Sequence, residues 1–361
     1  MSVNTKNDAE LFRFIDSDTI QSEKIIAPRY SYWKSVFRVF FRKKINILLI
    51  ALLTIILIAC FTAPLFAEYD PFENVTTKIV YDEEVTTFVD GVGKTTNSQR
   101  TVNNFYMGPK DAIEFAKEYD RVYADEIAAG TKTSMGPSIK WILGTGGTGN
   151  SIFYGILFSA RTSLMLAVVC AAINMTIGII LGAVWGYSRQ FDAVMLVIYN
   201  IIANVPSILV ISVLVYIIGS GFWPFVFALT VTGWLGIAYF FRTQVLIIRD
   251  REYSLASRCL GTPIPRMISK NILPFLTSVI VTLLATELPY YISMEVYLSY
   301  IGVGLSASVP SLGRMIQEAQ SVFTVYPHVF WPPVIMSAAI TIILYVLGQN
   351  LADASDPRTH M

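Results

Sequence analysis

The chain has 361 residues, of which 54% are hydrophobic and 15% charged, with a formal net charge of +1. Soluble chains carry roughly a quarter charged residues, so an ordinary soluble domain is excluded, and the apolar residues fall in blocks long enough to cross ~30 Å of hydrocarbon, about 20 residues per helix. Two histidines, His328 and His360, leave little for a histidine-based catalytic or metal centre, and three scattered cysteines, Cys60, Cys170 and Cys259, argue against a disulfide framework.

Forty-odd polar and basic residues precede the first apolar block, a pattern unlike a cleavable signal peptide. Within them, YSYWKSVFRVFFRKK sets Lys34, Arg38 and Arg42 four residues apart, with Trp33, Phe37, Phe40 and Phe41 mostly on another side. That spacing predicts an amphipathic helix in the inner headgroup layer; an ordinary basic flank is the plainer reading. The first span is expected at residues 45–66. Five more are expected at about 156–187, 193–219, 222–248, 274–302 and 329–351, giving an all-α polytopic membrane protein with six transmembrane helices. Asn204 and Pro206 in the third span and Pro289 in the fifth are candidate kinks lining a cavity, or bends without transport meaning.

Between the first two spans, residues 67–150 carry eight basic and thirteen acidic side chains, a net −5. This stretch is too long for a structureless loop. TTKIVYDEEVTTFVDGVGKTT alternates β-branched and polar residues about Asp90-Gly91, a hairpin pattern. DAIEFAKEYDRVYADEIAAG sets Ile113, Ala116, Tyr119 or Asp120, and Tyr123 at helical spacing and stops on Gly130. A small hairpin-plus-helix insertion is predicted, serving as a docking surface or as a structural cap. Lys and Arg set the orientation. Nine precede the first span and six lie from Arg242 to Lys270, whereas the loop after the fifth span has only Arg314. Both termini are therefore expected in the cytoplasm. The organisation is a cytoplasmic segment 1–44, a first span 45–66, an extracytoplasmic insertion 67–150, a five-helix core 151–351 with a cytoplasmic loop 249–273, and a cytoplasmic tail 352–361.

LGTGGTGNS, residues 143–151, nearly has the spacing of a phosphate-binding P-loop. It would lie outside the cell, no apolar strand leads into it, and Asn150 stands where the phosphate-reaching lysine is needed. Nucleotide binding here is rejected, so any ATP hydrolysis belongs to another subunit.

A handle for such a subunit lies between the fourth and fifth spans, in EYSLASRCLGTPIPRMISKNILP, residues 252–274. Leu255, Ala256 and Cys259 share one face of a short helix, Arg251 and Arg258 another; Gly261 ends it, and Pro263 and Pro265 prevent its simple continuation. This stretch resembles the cytoplasmic EAA loop of type I ABC importer permeases, with Leu255-Ala256-Ser257 in the Glu-Ala-Ala place, Gly261 as the glycine and Leu273-Pro274 as the Leu-Pro ending. Leu255 replaces the acidic residue and Asn271 the isoleucine of the ending. GTGGTGNSIFYGILFSARTSL and MEVYLSYIGVGL are similar to the OppC-like (AmiD-like) permeases of oligopeptide importers. Gly144, Thr145, Gly149, Ala160, Arg161, Ser163 and Leu164 match in the first, Glu295, Leu298, Ser299, Gly302, Gly304 and Leu305 in the second. The similarity covers roughly residues 28–66 and 140–361.

Arg161, Glu287 and Glu295 fall inside spans, where an unpaired charge is costly. Arg161 and Glu295 lie at similar depth near the outer edge, which suggests an ion pair; Glu287 lies near mid-membrane, either facing the pathway to attract a peptide's ammonium end or bonded within the bundle. The resemblance implies a non-catalytic permease fold with a coupling helix seated in a groove of an ATPase. It also implies a second, OppB-like permease, two OppD/OppF-like ATPases that carry ATP and Mg, and an extracellular lipid-anchored peptide-binding protein. No cofactor on this chain and no nucleic-acid partner are expected, and the location implied is a bacterial cell membrane. An ion-coupled secondary transporter acting alone, or a permease for dipeptides, nickel or glycosides, are the alternatives.

Overall fold

The computed structural model describes residues 32–66, 77–89 and 92–355, without the side chains at 66, 82–98 and 138. In chain order the helices and strands are α1 (Tyr32–Arg42), α2 (Lys44–Phe66), β1 (Lys78–Val89), β2 (Val92–Asn103), α3 (Pro109–Val122), α4 (Ala124–Ala128), α5 (Ile152–Tyr187), α6 (Arg189–Ala203) and α7 (Ser207–Ile218). They continue with α8 (Phe222–Arg249), α9 (Glu252–Cys259), α10 (Ile264–Arg266), α11 (Thr277–Tyr300), α12 (Leu312–Ala319) and α13 (Pro327–Ser355). Among the described residues α2, α5, α8, α11 and α13 are each long and apolar enough to cross a membrane. The third expected span is not one straight helix. It breaks into α6 and α7, bent by 77°, where Pro206 removes a backbone donor and its ring excludes a continuous turn; the Asn204 side-chain amide turns back to donate to the Asn200 carbonyl. The bundle therefore has five such helices, or six if the bent pair is one span.

The tightest packing joins α5 to α8. Gly178, Gly182 and Gly186 fall one turn apart on α5, and a Cβ at Gly182 would lie 2.5 Å from the Ala238 carbonyl oxygen. Small residues at this period let two backbones approach closely where the solvent is hydrocarbon. Gly348 of α13 repeats the device against α11, its would-be Cβ 2.6 Å from Ala285 Cα. Around these contacts Ala160, Cys170, Phe225, Tyr291, Leu298 and Leu312 form one buried core. α2 is apolar on all sides, with Leu48, Ile55, Ile58 and Leu65 exposed, a surface suited to lipid or another apolar partner rather than to water.

At the start, α1 turns Val36 and Phe40 inward against Ala354 while Trp33, Phe37 and Phe41 stay outside in a run of rings 6.3 Å apart. Phe40 thus leaves the aromatic face the sequence assigns it. Tyr32 Oη donates to the Ser355 carbonyl (2.8 Å) and Lys43 Nζ to Asn350 Oδ1 (2.7 Å), fastening α1 to the end of α13.

Between α2 and α5, β1 and β2 pair antiparallel from Lys78↔Asn103 to Val89↔Val92; the expected Asp90-Gly91 turn lies outside the described residues. The helix of this segment divides at Tyr123 into α3 and α4. Its buried face is Ala112, Phe115, Ala116 and Tyr119, rotated from the predicted Ile113–Tyr123 stripe because Ile79, Met135 and Trp141 close the small core on that side.

Candidate functional site

The loop joining α8 to α11 begins with α9, which ends in a glycine-dependent turn: Thr262 N–H donates to the Ser257 carbonyl (3.2 Å) and Gly261 adopts φ +74°. After α10, a π-helical turn over Met267–Ile272 leads to half-buried Leu273 and exposed Pro274. Asn271, at the position where the importer permeases carry isoleucine, donates to Ser257 Oγ at 3.0 Å and ties the returning strand of the loop to α9. Ser254 is buried, whereas Leu255, Ala256 and Cys259 are exposed together as the spacing predicts. Tyr253, Ile264 and above all Leu260, 86% exposed, widen that apolar face. A short helix presenting an apolar surface has the form that grooves on partner proteins accept.

Arg161 and Glu295 do not form the expected ion pair. Glu295 is fully buried, and its oxygens accept from Ser163 Oγ (3.0 Å), Ser299 Oγ (3.0 Å) and Ser311 Oγ (2.7 Å). Successive helical residues are 100° apart, so Arg161, two before Ser163, points to nearly the opposite side of α5. Its guanidinium lies 5.6 Å over the Phe61 ring of α2, and its Nε has no hydrogen-bond partner among the described residues. The serines make Glu295 a knot between α5, α11 and the start of α12: Ser163 Oγ also accepts from Leu312 N–H (3.1 Å), and Ser311 caps α12 by accepting from Arg314 N–H (3.2 Å).

Deeper in the bundle, a cavity of about 350 Å³ opens at the bend, lined among others by Pro206, Leu229, Gly233, Tyr290 and Tyr291. Pro206 does line a cavity. Pro289 is buried within α11, whose helix continues through it. Half-buried Glu287 lies one helical turn from Tyr291, whose hydroxyl accepts from Asn174 Nδ2 at 2.6 Å. Glu287 is not among the residues that line this cavity.

Sequence reasoning missed the ion pair that joins α6 to α8. Asp192 of α6 binds Arg242 of α8 bidentately, with Nη2 to Oδ2 at 2.9 Å, and accepts from Trp185 Nε1 at 2.7 Å. The Tyr199 and Tyr239 rings stack beside it at 4.2 Å. An aspartate in the first turn of one apolar helix and an arginine within another were the available signal. Asp192→Asn leaves Arg242 without its counter-charge in a largely enclosed place and is expected to lower the melting midpoint of the detergent-solubilised chain by several degrees, measured by fluorescence-detected unfolding.

The Gly-rich stretch is a latch. Thr145 N–H donates to the Met107 carbonyl (3.0 Å), Gly146 N–H to the Asn150 carbonyl (2.9 Å) and Gly149 N–H to the Gly146 carbonyl (3.1 Å), so these three amides bond within the protein. Thr145 Oγ1 donates to the Asn104 carbonyl (2.6 Å), joining the end of β2 to the start of α5.

A bundle of spans around a cavity, with a loop helix whose apolar face is left open, has the build of a membrane permease subunit. Residues 174–361 match the family described as binding-protein-dependent transport system inner membrane component, and residues 31–82 match the N-terminal TM domain of oligopeptide transport permease C. The chain is 39% identical over 353 residues to the oligopeptide transport system permease protein AmiD of Streptococcus pneumoniae, covering 98% of each chain. It is 34% identical to the dipeptide transport system permease protein DppC of Bacillus subtilis, over 63% of this chain and 72% of the relative. To the oligopeptide transport system permease protein OppC of Bacillus subtilis it is 33% identical, over 62% and 73%. The chain belongs to the family of binding-protein-dependent transport system inner membrane components.

Proposed function

We propose that this chain is one half of the translocation pathway of an ATP-driven oligopeptide importer in a bacterial cell membrane. Its α6–α7 pair would count as one span, giving six, with both termini cytoplasmic and residues 67–150 outside. The observation that carries the reading is the likeness to an oligopeptide permease over 98% of both chains. The exposed Leu255–Gly261 face supports it as the seat of a partner ATPase, of which an importer of this kind has two; these bind ATP and Mg, and this chain binds no cofactor. A second permease completes the pathway, and an extracellular, lipid-anchored binding protein delivers peptide. ATP-driven closure of the ATPases would push the loop and rock the spans between inward- and outward-facing arrangements. Dipeptides are the second cargo, favoured by the likeness to a dipeptide permease.

The test is purification of the tagged chain from its native membranes in mild detergent, with identification of co-eluting proteins, followed by uptake of labelled peptides of graded length. Two ATPases and a second permease are expected. Elution alone with retained transport would overturn the importer reading in favour of a secondary transporter. Gly261→Val sharpens the test. The position has open space around it but needs φ +74°, which a β-branched residue adopts only with strain. It is therefore expected to distort the turn alone, cutting ATP-driven uptake at least ~10-fold, equivalent to about 1.4 kcal/mol, while the spans still accumulate in the membrane.

A further inference from the structure

Resting on that reading and its sidedness, we propose that the cavity between the Gly-rich latch and α12 binds the C-terminal end of a cargo peptide at the outer mouth of the pathway. The cavity holds about 520 Å³, within the range of small-ligand sites. Ser159 and Ser311 line it, so it borders the Glu295 knot. Ser159 is only 1% exposed, and its hydroxyl has no hydrogen-bond partner among the described residues. A buried hydroxyl left in that state costs free energy that a ligand can recover.

Arg314 and Glu318 also line the cavity, joined by Nε to Oε1 at 2.8 Å, while Arg314 Nη1 donates to Gln317 at 2.8 Å. A bare cation would meet the guanidinium, and a small inorganic anion the carboxylate. A peptide end satisfies both: its carboxylate takes the Arg314 fork in place of Glu318, its last amide N–H faces the released Glu318 carboxylate, and its carbonyl oxygen accepts from Ser159. Tyr106 supplies an aromatic wall. It is the one non-glycine with positive φ among the described residues (+48°), and it stacks on Tyr326 at 4.6 Å and 9°. Its hydroxyl lies 2.4 Å from where a Cβ at Gly147 would stand, so the glycine lets the ring lie across the latch. A residue held in sparsely populated backbone geometry by its surroundings is a mark of functional sites.

The test uses the complete transporter with its binding protein, reconstituted in vesicles and turning over ATP. Cys259→Ser removes the exposed native thiol. Thr148→Cys, exposed on the cavity lining, is compared with Thr133→Cys, exposed on the same outer unit away from the cavity. The probe is a pentapeptide with a free C-terminus and a bromoacetyl group on its fourth side chain. Thr148→Cys is expected to react at least ~10-fold faster than Thr133→Cys, a difference of about 1.4 kcal/mol. Unlabelled pentapeptide acid should suppress the reaction and its C-terminal amide should not. Adding Arg314→Gln should erase the advantage of the acid, which separates this site from any preference of the binding protein. Equal labelling at the two positions, or an acid preference that survives Arg314→Gln, overturns the site. Peptide uptake in the same vesicles is read in parallel: normal uptake with equal labelling removes only this site, whereas absence of ATP-driven uptake removes the importer reading and the site with it.

Discussion

Gly182→Leu is expected to keep the chain from accumulating in the membrane. A Cβ at this position would stand 2.5 Å from the Ala238 carbonyl oxygen and 2.9 Å from Phe241 Cβ. The first of these is backbone, which cannot swing aside. Overpacking a core that can adjust costs about 1–3 kcal/mol; here two helices must separate along a seam that also holds Gly178 and Gly186, so the loss is larger. Quantitative blotting of membranes should show at least a ~10-fold fall, taking full loss of the seam as more than 1.4 kcal/mol. Gly236→Ala is the control, since its Cβ meets nothing within 4 Å. Equal loss in both variants would show that the seam is not what limits folding.

Glu295→Leu is the second severe case. It takes the acceptor from three hydroxyls at once, Ser163, Ser299 and Ser311, and a buried polar group left unpaired costs about 1–3 kcal/mol. The start of α12 loses its attachment to α11, so uptake should vanish and the melting midpoint fall. Arg161→Gln, by contrast, should leave uptake within about two-fold, well under the 1.4 kcal/mol of a ten-fold change, because Arg161 rests on Phe61 rather than on Glu295. The exchanged pair, Arg161→Glu with Glu295→Arg, should be as inactive as Glu295→Leu; recovery of uptake would reinstate a direct ion pair.

The contrast between these carboxyl and guanidinium groups marks how far the sequence could be read. Depth in the membrane follows from rise per residue, so Arg161 and Glu295 were placed at one level. Azimuth follows from 100° steps only once the neighbours of each face are known, and Ser163, which the sequence singles out only as one match to the OppC-like permeases, turned out to define that face. The exposed face of α9 was legible because Gly261, Pro263 and Pro265 isolate a short helix whose pattern has only one amphipathic solution. Pro206 announced a bend but not its 77° size; α6 is held by packing of Met195 and Tyr199 and by the Asp192–Arg242 pair, formed across fifty residues of sequence. In the 67–150 segment the strand and helix signals were local and legible, whereas the buried stripe of α3 was set by Ile79 and Trp141, which no periodicity within the helix reveals.

The clasp between the first and last described helices has a consequence for biosynthesis. Tyr32 finds its acceptor 323 residues later, at Ser355. At about 5–20 residues per second, α1 must wait on the order of tens of seconds for its seat to be made. Through that interval Val36 and Phe40 lack the Ala354 contact they have in the folded protein, and docking on α13 is a late step. Until the end of α13 arrives, the α13 side of the Val36–Phe40 cluster stays open, available to whatever surveys partly made membrane proteins.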